Sequence, residues 1–167
     1  MGWVTLTLRK KDLKNTISEY ELRDIELSRE TRSVQRQLAY EQSIFNADKT
    51  KELRAAKANY TAVKGQKVEL PEDTTDKEAM KAYNTAYDEW KTNYAMAKED
   101  YEAKKVEIED FYDDQMNEIE QEATDRENDI EQERTTIEAQ LQAVRSELES
   151  VNDQIKSDID SSKLTLS

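Results

Sequence analysis

The chain has 167 residues, a formal net charge of −13, no cysteine and no histidine. This composition excludes disulfides and thiol or imidazole catalysis, and the two glycines, Gly2 and Gly65, cannot form a phosphate-binding loop. Leu, Ile, Val and Phe supply only 30 residues, too few for a thick core in so charged a chain. Two classes remain, a disordered acidic chain or long helices that bury a narrow seam, and the scarcity of glycine and proline favours the helices.

The first eight residues predict an extended segment. Residues 3–8 alternate with a period of two and are rich in β-branched and aromatic types. Because a lone strand is unstable in water, we expect residues 1–8 to dock on a neighbouring sheet edge through Trp3, Val4, Leu6 and Leu8. In the alternative interpretation, the first helix begins early and the alternation is misleading.

Residues 9–64 predict one long helix. No glycine or proline interrupts them, and apolar residues occupy a and d positions of a coiled coil, with polar Asp24, Thr31 and Glu41 in the gaps: Leu13, Ile17, Tyr20, Leu27, Val34, Leu38 and Phe45. After Phe45 the phase slips by one residue to Leu53, which indicates a stutter. We expect Gly65 to end the helix and residues 65–74, which include Pro71, to form a loop.

Residues 75–160 predict a second helix, opened by a capping box between Thr75 and Glu78. Its first seam is aromatic, and it comprises Met80, Tyr83, Tyr87, Trp90, Tyr94, Ala97, Tyr101, Ile108 and Phe111, with Lys104 as an interruption. A short loop makes the two helices antiparallel neighbours. Closing the hairpin at the middle of the loop pairs residues 80–130 with the first helix, and it places Phe45 near Ala97.

The same closure places the basic residues 9–14 beside the acidic residues 127–132, so charge and seam favour one register. It also leaves residues 131–160 as an overhang with a regular apolar seam: Ile137, Leu141, Val144, Leu148, Val151 and Ile155. We expect a second copy of the chain or a foreign helix to cover this seam. The alternative is a break near residues 124–127, after which the segment folds back.

The last residues, 161–167, alternate Thr and Leu again and predict a second docking strand through Leu164 and Leu166. The predicted fold class is therefore all-α: a long antiparallel two-helix coiled-coil hairpin with an overhanging second helix and short extended termini.

Charge is divided unevenly along the chain. Residues 1–66 hold 13 Lys and Arg against 9 Asp and Glu, whereas the remainder is strongly acidic. Such a surface repels nucleic acid and anionic lipid, and no apolar run approaches the roughly 18 residues that span a bilayer. Carboxylates one turn apart, such as Glu109 and Asp113, are expected to be surface charges. We expect no enzyme activity, no metal, no cofactor and no signal peptide, and a location in the cytoplasm or in a virion.

An acidic helical hairpin without cysteine or histidine and with extended termini resembles the virion assembly proteins of tailed bacteriophages, such as scaffold, internal, minor head and tail components. The resemblance lies in composition and layout, and it implies a virion location and other virion proteins as partners. We expect a non-enzymatic structural or assembly protein that connects neighbouring subunits of a large complex, with self-association included. The alternative is a chaperone or adaptor that binds a partner helix through residues 137–155.

Overall fold

A computed structural model describes residues 2–164 of the chain, without the side chains of Lys163 and Leu164. It contains two helices, α1 (Trp3–Gly65, 63 residues) and α2 (Lys77–Leu164, 88 residues), and no strand within the described residues. The helices pack against each other. Ion pairs join Arg9 to Glu147 and Lys49 to Asp113, so the sequence numbers run in opposite directions. The predicted all-α antiparallel hairpin is confirmed.

The predicted extended segment is wrong for residues 3–8, because α1 begins at Trp3, and Met1 lies outside the described residues. The amides of Thr5 and Leu6 donate to the carbonyl oxygen of Gly2, at 2.9 and 3.3 Å, and start the helical hydrogen bonding. Leu6 lies one heptad before Leu13, and both are buried. The seam therefore continues back through the segment, and the helical period prevails over the alternation.

The connection between the helices spans residues 66–76, close to the predicted loop. Asp76 caps α2, since its Oδ1 accepts from the amides of Glu78 and Ala79 at 2.9 and 3.2 Å. The amide and hydroxyl of Thr75 instead donate to Oδ1 of Asp73, at 2.9 and 2.6 Å. The predicted Thr75 capping box is therefore wrong by one residue.

The chain divides into two compact units, which are described separately. Unit 1 comprises Met1–Gln37 and Gln121–Ser167. Its core contains Leu6, Leu13 and Val151, and Leu27 is completely buried. Ala123 and Ile137 are also buried, so the seam positions of both helices meet inside this unit.

Unit 2 comprises Leu38–Glu120. Phe45 meets Tyr112 edge to face, with ring centroids 6.4 Å apart. Tyr112 is 7% exposed and Phe111 is 56% exposed, so the predicted seam position Phe111 is wrong. From Tyr101 the seam continues through half-buried Lys105 and Ile108 to Tyr112, in steps of four, three and four residues, so Lys105 and Tyr112 replace the predicted Lys104 and Phe111 while Ile108 stays on the seam.

The predicted register is wrong by about four helical turns. Phe45 faces Tyr112 instead of Ala97, and Arg9 pairs with Glu147 instead of residues 127–132. The cause lies at the loop end of unit 2. There Nε1 of Trp90 donates to the carbonyl oxygen of Val63 at 2.9 Å, so the α2 residues before Trp90 lie beyond the end of α1. The hairpin does not close at the middle of its loop. Each α1 residue therefore pairs with an α2 residue that lies closer to the C-terminus than its predicted partner.

Candidate interaction surfaces

The predicted overhang at residues 131–160 is covered by the chain's own first helix. Val151 packs in one cluster with Leu6 and Leu13, and Val144, Leu148 and Ile155 pack against that cluster. Ile137 is buried and Leu141 is half-buried. All six predicted partner-binding residues of this segment therefore lie on the seam with α1, and the prediction of a bare seam is wrong.

The predicted N-terminal docking residues have two different environments. Leu6 belongs to the core of unit 1, whereas Trp3, Val4 and Leu8 are exposed on the first turns of α1. They sit on a helix and offer no strand edge. Residues 161–164 are helical as well, so the predicted extended tail is wrong there. The side chain of Leu164 and the whole of Leu166 lie outside the described residues.

Charged side chains interrupt the apolar seam of unit 1. Nε and Nη2 of Arg23 donate to the two carboxylate oxygens of Glu133 at 2.8 and 3.1 Å, and Nη1 reaches Glu26 and Glu30 at 3.3 and 3.2 Å. Beside it, Nε of Arg134 donates to Oδ1 of Asp24 at 2.9 Å. Paired charges at seam positions favour one alignment of two helices over its neighbours.

These contacts alter proton affinities. The hydrogen bonds from Arg23 lower the pKa of Glu133, and the hydrogen bond to Glu133 is the largest of the effects that raise the pKa of Arg23. The hydrogen bond to Asp24 likewise raises the pKa of Arg134. Each shift stabilises the charged form of a group that already carries its charge at neutral pH. The cluster therefore acts as a fixed set of ion pairs.

An open groove of about 410 Å³ lies next to this cluster in unit 1. Its lining mixes carboxylates, one guanidinium and two aliphatic side chains, and it comprises Glu30, Ser33, Val34, Gln37, Arg126, Asp129, Ile130 and Glu133. Glu30 and Glu133 are already engaged by Arg23. The groove is an open depression between the two helices, and three of its lining side chains are carboxylates.

The aromatic side chains of unit 2 pack against one another. Tyr60 stacks on Tyr101 at 5.6 Å, and its hydroxyl lies 3.0 Å from that of Tyr94. That hydrogen bond and burial raise the pKa of Tyr60. Tyr112 donates from its hydroxyl to Glu52 at 3.0 Å, and burial is the main cause of its raised pKa. These rings fill the interhelical space as seam residues, and each of these hydroxyls meets a partner at the edge.

Several apolar side chains lie exposed off the seam, and three of them, Leu22, Ile25 and Tyr40, were not predicted from the sequence. Leu22, Ile25, Tyr40 and Phe111 are all at least half exposed, and Trp3, Val4 and Leu8 share this property. The available signal was spacing: Leu22 and Ile25 lie three residues apart, but at positions outside the a and d series that ran through Tyr20 and Leu27.

Within residues 2–164, no group of three or more acidic side chains has the arrangement of a metal site. In the same part of the chain, neither helix has an apolar window long enough to cross a bilayer. Comparison of the chain with protein-family models, with curated proteins and with solved structures gives no match.

Proposed function

We propose that this chain is a non-enzymatic structural component of a large protein assembly, and that a phage virion is its setting. The observation that carries the proposal is the closure of the seam: Leu6, Leu13, Ile137 and Val151 are buried between α1 and α2 of one molecule. Because each helix buries the apolar seam of the other, the chain is ordered before it meets a partner. Its outer surface is then free for contacts with other subunits.

Two further features support this proposal. Exposed Trp3, Val4 and Leu8 are concentrated within two turns at the start of α1, where they offer an apolar contact. The composition and layout of the chain resemble those of phage assembly proteins, and this resemblance supplies the virion setting. The adaptor alternative loses its binding surface, because α1 occupies the face of residues 137–155 that was expected to hold a partner helix.

The test follows the chain into particles. A tagged chain is expressed in cells that carry the native gene and produce the phage, and the particles are purified by density-gradient sedimentation. We expect the chain in the particles at a fixed ratio to the other subunits, and incomplete particles when the gene is deleted. Complete, infectious particles that lack the chain would overturn the proposal.

A matched pair of variants separates folding from assembly. Leu13→Asp places a charge in the core of unit 1, whereas Leu70→Asp makes the same change at an exposed site in the connecting segment. The proposal requires the hairpin, so Leu13→Asp should be lost from particles and Leu70→Asp should be incorporated normally. Equal incorporation of both variants would contradict a role for the folded hairpin.

A further inference from the structure

We propose that two copies of this chain associate through the outer face of α1 in unit 1, antiparallel and about a two-fold axis near Asn15. This inference is independent of the virion role. Its starting point is a second apolar stripe, which we call the outer stripe: Val4, Leu8, Leu22 and Ile25. All four side chains are exposed, by 50–59%.

The outer stripe has the spacing of a helix interface. With alternating steps of four and three residues, the series runs through Val4, Leu8, Lys11, Asn15, Ser18, Leu22 and Ile25. At 100° per residue these positions occupy about 100° of the helix circumference, roughly opposite the buried face that carries Leu6 and Leu13. The outer stripe therefore faces away from α2, so a helix on this face would lie against α1 without displacing α2.

The outer stripe is also self-complementary. It reads almost the same in both directions from Asn15: Val4 mirrors Ile25, Leu8 mirrors Leu22, and Lys11 mirrors Ser18. A two-fold axis brings each position of one copy beside its mirror position in the other copy, with the helices antiparallel. Aliphatic side chains then meet aliphatic side chains at both ends of the contact. A foreign helix would have no reason to match this symmetry, which favours a second copy as the occupant.

Charge complementarity supports the same arrangement. Lys11 and Glu19 are exposed, and neither makes a hydrogen bond or ion pair within residues 2–164. The two-fold axis places Lys11 of one copy beside Ser18 and Glu19 of the other, and it does so twice. A parallel alignment would put Lys11 beside Lys11 and Glu19 beside Glu19, which like charges disfavour. The charges therefore select the antiparallel direction.

The size of the contact sets its strength. The outer stripe spans about 32 Å of helix at 1.5 Å per residue. Four partly exposed aliphatic side chains per copy form a small interface, below the standard size of stable protein complexes. We therefore expect a dissociation constant in the micromolar range, on the order of 1–100 µM.

The first experiment is sedimentation velocity on the full chain over a concentration series up to a few hundred micromolar. We expect a reversible monomer–dimer equilibrium. Leu8→Lys combined with Leu22→Lys should raise the dissociation constant at least tenfold without loss of helicity by circular dichroism. Leu70→Lys, an exposed leucine in the connecting segment, should leave it unchanged. A monomer at every concentration, or equal weakening by both sets of substitutions, would overturn the proposal.

Two further variants test direction and charge. Because the chain has no native cysteine, Leu8→Cys and Leu22→Cys report directly on proximity. A mixture of the two single variants should form a disulfide-linked heterodimer, whereas a parallel dimer would link each variant to itself. Lys11→Glu should weaken association, and Lys11→Glu combined with Glu19→Lys should restore it. Self-linked products, or a double charge variant no tighter than the single one, would overturn the antiparallel arrangement.

Discussion

Leu27 shows how much of the stability of unit 1 depends on single seam residues. Its side chain has 0% exposure, whereas most seam residues of a two-helix interface remain partly exposed. Removing it leaves a cavity that α1 and α2 cannot close, since each helix is rigid at that point. Individual leucines of this chain therefore contribute very differently to the free energy of unfolding, according to the helix face on which they lie.

We expect Leu27→Ala to lower the free energy of unfolding by about 2–4 kcal/mol, from the lost burial and the remaining cavity. Leu70→Ala is the control, because the same substitution at a 58% exposed site should change it by less than about 0.5 kcal/mol. Urea denaturation followed by circular dichroism measures both. Similar effects at the two sites would mean that Leu27 is not enclosed between the helices.

The Arg23–Glu133 pair gives unit 1 a pH dependence with a defined sign. Arg23 lowers the pKa of Glu133 in the folded chain, so the pair stabilises the fold fully above the ordinary glutamate pKa of about 4.3. This contribution is lost as the pH falls from that value through the lowered pKa of the folded state. Protonation of Glu133 thus removes the charge on which the contact depends.

We expect Glu133→Gln to reduce the melting temperature at pH 7 and to have a smaller effect near pH 3, which is below the ordinary glutamate pKa, so that part of the stabilisation by the native pair is already lost there. Thermal unfolding at the two pH values measures the difference. Glu149→Gln, an exposed site on the same helix, should have little effect at either pH. If Glu133→Gln cost the same stability at both pH values, the contact would be steric and the ionic interpretation would be wrong.

At the scale of the helices, register is the property that most affects function. It decides whether residues 137–155 are available to a partner or covered by α1, and the cluster of Leu6, Leu13 and Val151 shows that they are covered. Two features act together in this alignment: the Trp90 hydrogen bond to Val63 in unit 2 and the charged pairs within unit 1. Each is polar and directional, which apolar seam contacts are not.

Engineered cysteines distinguish the observed register from the one that loop closure predicts. Leu13→Cys with Val144→Cys should form an intramolecular disulfide under mild oxidation, because both side chains belong to the same packed cluster. Leu13→Cys with Asn128→Cys should not, although the predicted register pairs these positions. Mobility on a non-reducing gel reports the result. The opposite outcome would restore the overhang and the bare seam of residues 131–160.

The sequence predicts the seam well and the register poorly, and the reason is physical. Leu13, Leu27, Ile137 and Val151 are all on the predicted seam and all buried, because spacing along one helix is a local property. Register is not local: sliding by whole heptads still places apolar side chains on apolar side chains, and acidic residues are so frequent in α2 that basic ones find partners in many alignments. The outer stripe was not predicted for a related reason. One apolar seam was sufficient to predict a helix, so the apolar residues on its opposite face were not considered as a second series.

The remaining errors of the sequence-based prediction occur where the local pattern allows two interpretations. Phe111 and Tyr112 both follow Ile108 at an allowed step, and only packing against Phe45 selects Tyr112. The alternation of residues 3–8 is compatible with both a strand and a helix that buries Leu6 alone. In each case the deciding contact comes from the other helix or from the next heptad.

At the scale of the whole molecule, the net charge of −13 opposes the folded state. The acidic residues are concentrated in α2, and in unit 2 Glu107, Asp110 and Asp114 follow one another at steps of three and four, all exposed. None of the three has an ion pair within the described part of the chain. Like charges at such spacing destabilise a helix by roughly 0.2–0.5 kcal/mol per pair.

We therefore expect the triple variant Glu107→Gln, Asp110→Asn and Asp114→Asn to be more stable than the native chain at low ionic strength, by about 0.4–1 kcal/mol for the two like-charge pairs among these three residues. Salt screens the repulsion, so the gain should shrink toward zero in 1 M sodium chloride. Lys49→Gln is the opposing control: it removes the cation that lies 2.6 Å from Asp113 and should lower the melting temperature in dilute buffer. Thermal unfolding of the three proteins across a salt series provides the measurement. If the triple variant were no more stable than the native chain in dilute buffer, the acidic excess of α2 would be balanced locally, and net charge would not limit the stability of the hairpin.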